Sequence, residues 1–172
     1  MKLHLLGIPA VLAVLLGGSA TAAEPARTAV FDLELVDTSQ EAERGVREDQ
    51  TRRIEMVSAE LRNLLRTSPQ LALVDIAPQR EAIAAKAPLN KCNGCDEDLG
   101  RALGADLVVS GIVQKTSNLI LSFAITVKDV RSGKVIRAGQ VDIRGNNDES
   151  WLRGVRWVVK NRLLAEPLPI PS

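Results

Sequence analysis

Tyrosine is absent from this chain, and only Phe31, Phe123, Trp151 and Trp157 supply aromatic rings. So few rings argue against a stacking platform for bases or sugars and against a deep ligand pocket. Histidine is nearly absent as well: the single one, His4, lies in the N-terminal segment. Beyond that segment the chain offers no histidine for a catalytic triad, a metal site or a pH switch. An excess of charge of either sign is also missing, with 22 basic residues against 21 acidic ones. That balance argues against nucleic-acid binding driven by bulk charge. No Gly-x-Ser-x-Gly is present, and "RSGKV" lacks the earlier glycine and the hydroxyl residue of a phosphate-binding loop. No catalytic residue, cofactor site or metal site is expected.

One hydrophobic run stands out. It begins MKLHLLGIPAVLAVLLGGSATAAEPA, with a basic Lys2, an apolar stretch over Leu5–Leu16 and small residues at Ala20 and Ala22. That is the pattern of a cleaved export signal, and it is short for a bilayer span. Residues 1–22 are read as a signal peptide, cut after Ala22 or Ala23. No cysteine follows the apolar run, so no lipid anchor is written there. About 150 residues remain, enough for one domain, and removing Lys2 leaves its formal charge balanced. The protein is expected in the periplasm or secreted, with no stable membrane insertion after cleavage.

What remains alternates between strand and helix patterns. "TAVFDLELVD", Thr28–Asp37, is mostly apolar and suits a strand covered on both faces. A polar loop of about a dozen residues follows, long enough to be mobile or functional. Over Asp49–Thr67 an apolar stripe of Ile54, Val57, Leu61, Leu64 and Leu65 predicts an amphipathic helix. "LALVDI", Leu71–Ile76, predicts a short strand, and Gln79–Lys86 and Asp96–Leu103 predict two small helices, the second led by acidic residues that suit its dipole. Three strands come next: "ADLVVSGIVQKT", then Asn118–Val130 with Leu119, Leu121, Phe123, Ile125 and Val127 on one face, then "KVIRAGQVDIRG" across an Arg-Ser-Gly turn. Asp148–Leu164 predicts a closing helix with Trp151, Leu152, Val155, Val159 and Leu163 inward. The tail "EPLPIPS" cannot continue it and is read as loose. The expected fold is α/β: a mixed five-stranded sheet in the order β-α-β-α-α-β-β-β-α, a single domain over 28–164, and a disordered tail over 165–172. The first three strands should be largely parallel and the last three a meander.

The chemistry-bearing candidates are few. Cys92 and Cys95, the only cysteines, form a Cys-x-x-Cys. Asp96 follows the second cysteine where a haem tether needs histidine, and zinc would have to recruit Asp96 or Asp98. The exporting compartment favours a structural disulfide. A redox-active pair is the rival reading, although "APLNK" is no strand and Asp96, Glu97 and Asp98 disfavour a thiolate. Asp32 and Glu34 share a strand face, as an acid/base pair would, yet charge on a half-exposed strand is far commoner than catalysis. Between Arg131 and Ser172 there are eight basic residues against four acidic ones. Arg153, Arg156, Lys160 and Arg162 therefore mark a basic helix side, a candidate surface for an anionic partner, lipid headgroups or peptidoglycan, or a plain solvated face.

"TAVFDLELVDTS", "LGRALGADLVVSGIV" and "ITVKDVRSGKVIRAGQ" together resemble a family of small bacterial secreted proteins of unknown function. Its layout is similar to the N-terminal domain of TolB and to the periplasmic domains of LpoB and CsgG. Leu103-Gly104-Ala105-Asp106 ahead of Val108-Val109, and Asp129-Val130 ahead of Ser132-Gly133, carry most of the likeness. The resemblance implies a non-catalytic binding or adaptor domain whose partner is another envelope protein. A thiol–disulfide protein centred on Cys92 and Cys95, and a small-ligand-binding accessory component, are the alternatives.

Overall fold

A computed structural model describes residues 24–171, so the signal-peptide reading falls on residues outside the described ones. The strands are β1 (Ala26–Val30), β2 (Glu34–Asp37), β3 (Leu71–Leu73), β4 (Leu107–Lys115), β5 (Ile120–Asp129) and β6 (Val135–Arg144). The α-helices are α1 (Glu48–Arg66), α2 (Arg80–Lys86), α3 (Cys95–Ala102) and α4 (Asp148–Val158). The sheet runs β3-β1-β4-β5-β6, with β2 also paired to β4. β1 is parallel to β3 and β4, and β4, β5 and β6 form an antiparallel meander. The mixed α/β architecture expected from the sequence is the one observed.

The first expected strand is broken in two. Val30 opposes Val109 and Glu34 opposes Ile112, so three residues, 31–33, face two on β4. This bulge turns Phe31 and Leu33 into different cores while Asp32 points to solvent. Its cause is lateral: the Leu33 amide donates to Ser58 Oγ on α1 at 2.9 Å rather than to the ladder. Gly111 sits opposite, where a Cβ would lie 2.5 Å from the Ala124 carbonyl oxygen and 3.0 Å from Leu33 Cδ2.

Two cores result. On one face α1 and α4 bury Val57, Leu61, Leu65, Trp151, Val155 and Val158 against Val109, Val113, Phe123 and Ile125. Each such side chain contributes roughly 1.5–3 kcal/mol when taken from water. The Trp151 indole meets Phe123 edge-on at 6.1 Å and donates to Asn146 Oδ1 at 2.9 Å. On the other face α2, α3 and the short turn between them cover only one end, packing Leu89, Cys95 and Leu99 on Ala29, Phe31 and Val108. That face of β4, β5 and β6 is otherwise left without a helix, and its outward residues Gln114, Ala138, Gln140 and Asp142 are exposed.

Four further expectations need correction. Leu119 lies outside β5 and is 68% exposed, because its amide is used in the turn that Ser117 Oγ caps. The strand from Leu71 ends at Leu73, and Leu152 on α4 is half-buried rather than fully inward. The tail after Glu166 is extended but docked: Leu168 is buried, its amide donates to Gln70 Oε1 at 2.9 Å, and Arg137 Nη2 donates to the Pro167 carbonyl at 2.8 Å. Proline stops the helix but leaves an apolar side chain free to fill a core gap.

Candidate functional site

The largest chemical variety in the fold gathers where β1 ends. A cleft of about 480 Å³ opens there, floored by Ser110, Ile112, Ala124 and Thr126 on the helix-free face of β4 and β5. Asp32 and Glu34 form one wall, and the segment from Leu89 to Gly94 forms the roof. The roof follows from local chemistry. Glu34 accepts from the Leu89 and Asn90 amides at 2.5 and 2.8 Å and from Asn90 Nδ2 at 2.7 Å. Gly94 takes φ +84°, a left-handed conformation cheap only for glycine, and turns the chain into α3.

Cys92 and Cys95 sit at disulfide distance across that turn, with Cα atoms 5.6 Å apart. Cys92 is half-buried and lines the cleft, while Cys95 is 6% exposed and packs in the smaller core. The helix dipole of α3 points at the pair, but its first turn carries Asp96, Glu97 and Asp98.

Asp96 and Lys128 complete the floor. The Lys128 ammonium donates to Asp96 and to Glu97 Oε1 at 3.0 Å each, and Ser110 Oγ donates to Asp96 Oδ2 at 2.8 Å. Burial pulls the Asp96 carboxyl upward, but its hydrogen bonds with Glu97, Lys128 and Ser110 outweigh that and hold it below the ordinary 3.8. Burial opposes the Lys128 charge, yet its bonds to the two carboxylates raise it above 10.5. Near neutral pH Lys128 is thus an ammonium and Asp96 a weakly basic carboxylate. Neither is poised to take a proton from Ser110, whose hydroxyl is engaged. The cluster ties α3 to β4 and β5.

Asp32 and Glu34, which share a strand face in the sequence reading, do reach the same cleft, but they do not act as a pair. Glu34 caps the roof, and Asp32 faces solvent with Arg62 Nη2 2.5 Å away. Arg153, Arg156, Lys160 and Arg162 lie on α4 and the turn after it, in the layer on the other side of the sheet. The loop before α1 is pinned: the fully buried Lys115 ammonium lies 3.0 Å from Asp37 and 2.8 Å from Glu41. Sequence reasoning missed Lys128 and Lys115. Lys128 carried a usable signal, a lone cation on the small, polar face of β5 with Ser122, Ala124 and Thr126, but its carboxylate partners lie about thirty residues back, beyond any local pattern.

A family model described as "Protein of unknown function (DUF2380)" matches residues 26–163. No curated protein matches the chain in sequence. Among solved structures, the LpoB C-terminal domain from Salmonella enterica is similar with a TM-score of 0.50 and 16% identity, over 74% of this chain and 88% of that one. A PelC dodecamer subunit from Paraburkholderia phytofirmans is similar with a TM-score of 0.50 and 15% identity, over 80% and 88%. TolB from Acinetobacter baumannii aligns over 84% of this chain and 30% of its own, with a TM-score of 0.46 and 12% identity. Among the described residues no helix is long and apolar enough to cross a membrane.

Proposed function

The chain belongs to the DUF2380 family of proteins of unknown function, and from that premise we propose that it is an exported, non-catalytic adaptor that docks another envelope protein. The observation that carries this reading is the half-bare sheet. Beyond the short α2 and α3, the second face of β4, β5 and β6 is a surface of mostly small and polar side chains with Ile112 and Ile120 among them, bordered by the roofed cleft and by the outer edge of β6. That edge pairs with no strand among the described residues. A sheet face and a free edge suit side-chain docking and strand addition by a partner.

The charged groups beside the cleft support a binding role over a chemical one, since Lys128 and Asp96 neutralise each other rather than standing poised to exchange protons. The Cys92–Cys95 pair acts as a structural disulfide that fixes the roof. Export follows from the Leu5–Leu16 run and the Ala20-Thr21-Ala22 site. The processed chain begins at Ala23 or Glu24 and works in the periplasm or outside the cell.

The test is site-specific photo-crosslinking in an exporting bacterium. A crosslinking residue replaces Thr126 or Gln140 on the bare face, or Asn93 on the roof. One discrete adduct with an envelope protein from the sheet positions, with a processed N-terminus, supports the reading. Recovery of the uncut chain in membranes, or the absence of any discrete adduct from Thr126 and Gln140, sinks it.

A further inference from the structure

We propose that the outward face of α4 is a contact site for an anionic lipid surface, separate from the protein-docking face. Leu152, Arg153, Arg156, Trp157 and Lys160 recur at spacings of one, three and four and line a shallow cleft of about 490 Å³. Every residue lining it comes from α4 or from the turn that continues it. With no second element as a wall, a peptide side chain has nothing to wedge against. A planar anionic surface requires only one exposed helix face.

The face is built for such a surface in three ways. Its cations outnumber its carboxylates: Arg153 pairs with Glu149 at 3.6 Å, Arg156 with Glu60 at 2.6 Å, and Lys160 makes no salt bridge among the described residues. The Arg153 side chain keeps 61% of its surface exposed and Arg156 57%, so their charges reach outward. Trp157 is 39% exposed, in a chain whose other tryptophan is wholly buried. An indole flanked by long-stemmed cations suits the headgroup boundary, where the ring sits among lipid and the charges snorkel to phosphate.

The third feature is the helix ending. Val159–Leu163 winds as a π-turn, in which the Leu164 amide donates to the Val159 carbonyl at 2.8 Å. Within it, the Arg162 guanidinium lies 5.2 Å from the centre of the Trp157 ring. This cation–π contact restrains the indole that the face presents.

The experiment uses the processed protein recovered after export, mixed with vesicles of phosphatidylcholine alone or with about 30% phosphatidylglycerol. The proposal expects co-sedimentation with the anionic vesicles only, a blue shift of Trp157 emission, and release by about 0.5 M salt. A cation near an anionic surface contributes about 1 kcal/mol, roughly five-fold in partitioning, so Arg153→Glu with Lys160→Glu should weaken binding at least ~30-fold. Trp157→Phe should remove the spectral shift and retain most of the attachment. The buried Trp151 emission reports that each variant is folded. Equal binding to neutral vesicles overturns the proposal, as does unchanged binding by the double variant. Binding to polyglutamate without binding to vesicles would make the face a protein contact and also overturns it.

Discussion

Lys128 shows how much one side chain holds together in this fold. It neutralises Asp96 and Glu97, which are 4% and 9% exposed, and Glu97 Oε2 already has no partner among the described residues. Replacing it by methionine leaves two buried carboxylates on α3 without a counter-charge. Because the lysine itself is partly solvated, Lys128→Met should cost about 2–3 kcal/mol, read as a lower urea midpoint at constant slope. Asp96→Asn placed on top should recover part of that loss; if the double variant is less stable than the single, the charge account is wrong. The cysteines behave differently. A bridge across so short a loop removes little chain entropy, about 2 kcal/mol. Cys92→Ser with Cys95→Ser should lower stability by that amount or less and leave sheet-face crosslinks intact. A redox centre would show a potential of roughly −120 to −270 mV and mixed disulfides with the single variants. Either result would move the activity to the roof of the cleft.

Among the elements, α1 and the tail separate packing from pattern. Leu61 is fully buried on the α1 stripe, so Leu61→Asp places an unpaired carboxylate in the main core and should abolish the cooperative transition. A native melting curve would mean that the stripe faces elsewhere. For the tail, composition alone suggests no contribution, but Leu168 fills the core between Gln70 and the end of the helical layer. Leu168→Asp should therefore cost about 2–3 kcal/mol in thermal or urea unfolding. No change would restore the loose tail. The residues that carry the family likeness prove to be turn-builders. The Asp106 amide donates to the Arg27 carbonyl at 2.7 Å, and Asp129 Oδ1 accepts from the Ser132 amide and hydroxyl at 2.7 and 2.6 Å. Motifs of this kind announce a fold and not a chemistry.

At the scale of the whole molecule, stability against pH draws on the paired charges of the fold, among them Asp37 with Lys115 and Asp96 with Lys128. Asp37 and Asp96 are held below the ordinary 3.8: burial opposes their ionisation, and hydrogen bonds, with Ser39 and Lys115 for one and with Glu97, Lys128 and Ser110 for the other, outweigh it. Their contribution is complete above that value and is lost as pH falls through the lower, folded one. Lys115 and Lys128 are raised above 10.5, burial being outweighed by their carboxylate partners, so their contribution is complete below that value and is lost as pH climbs past the folded one. No histidine lies among the described residues. Urea midpoints should thus be flat from about pH 5 to about pH 9 and fall on both sides. A step near pH 6–7 would require a titrating group that these contacts do not contain.

The sequence by itself determined the element order, the parallel-then-meander topology, the α1 stripe and the turns at Gly104 and Gly133, because each follows from a period or a glycine within a few residues. Only the tertiary structure decided that the strand at Thr28–Asp37 breaks at a bulge, since the deciding partner, Ser58, is 25 residues away. Only the structure showed that Glu34 holds the cysteine-bearing roof and that Lys128 and Lys115 are buried counter-charges, because each partner arrives from a distant element. The same reason governs α4. Its cations were visible in the sequence, but which of them keep a free charge, and that Arg162 lies over Trp157, depends on how the helix end packs against the sheet.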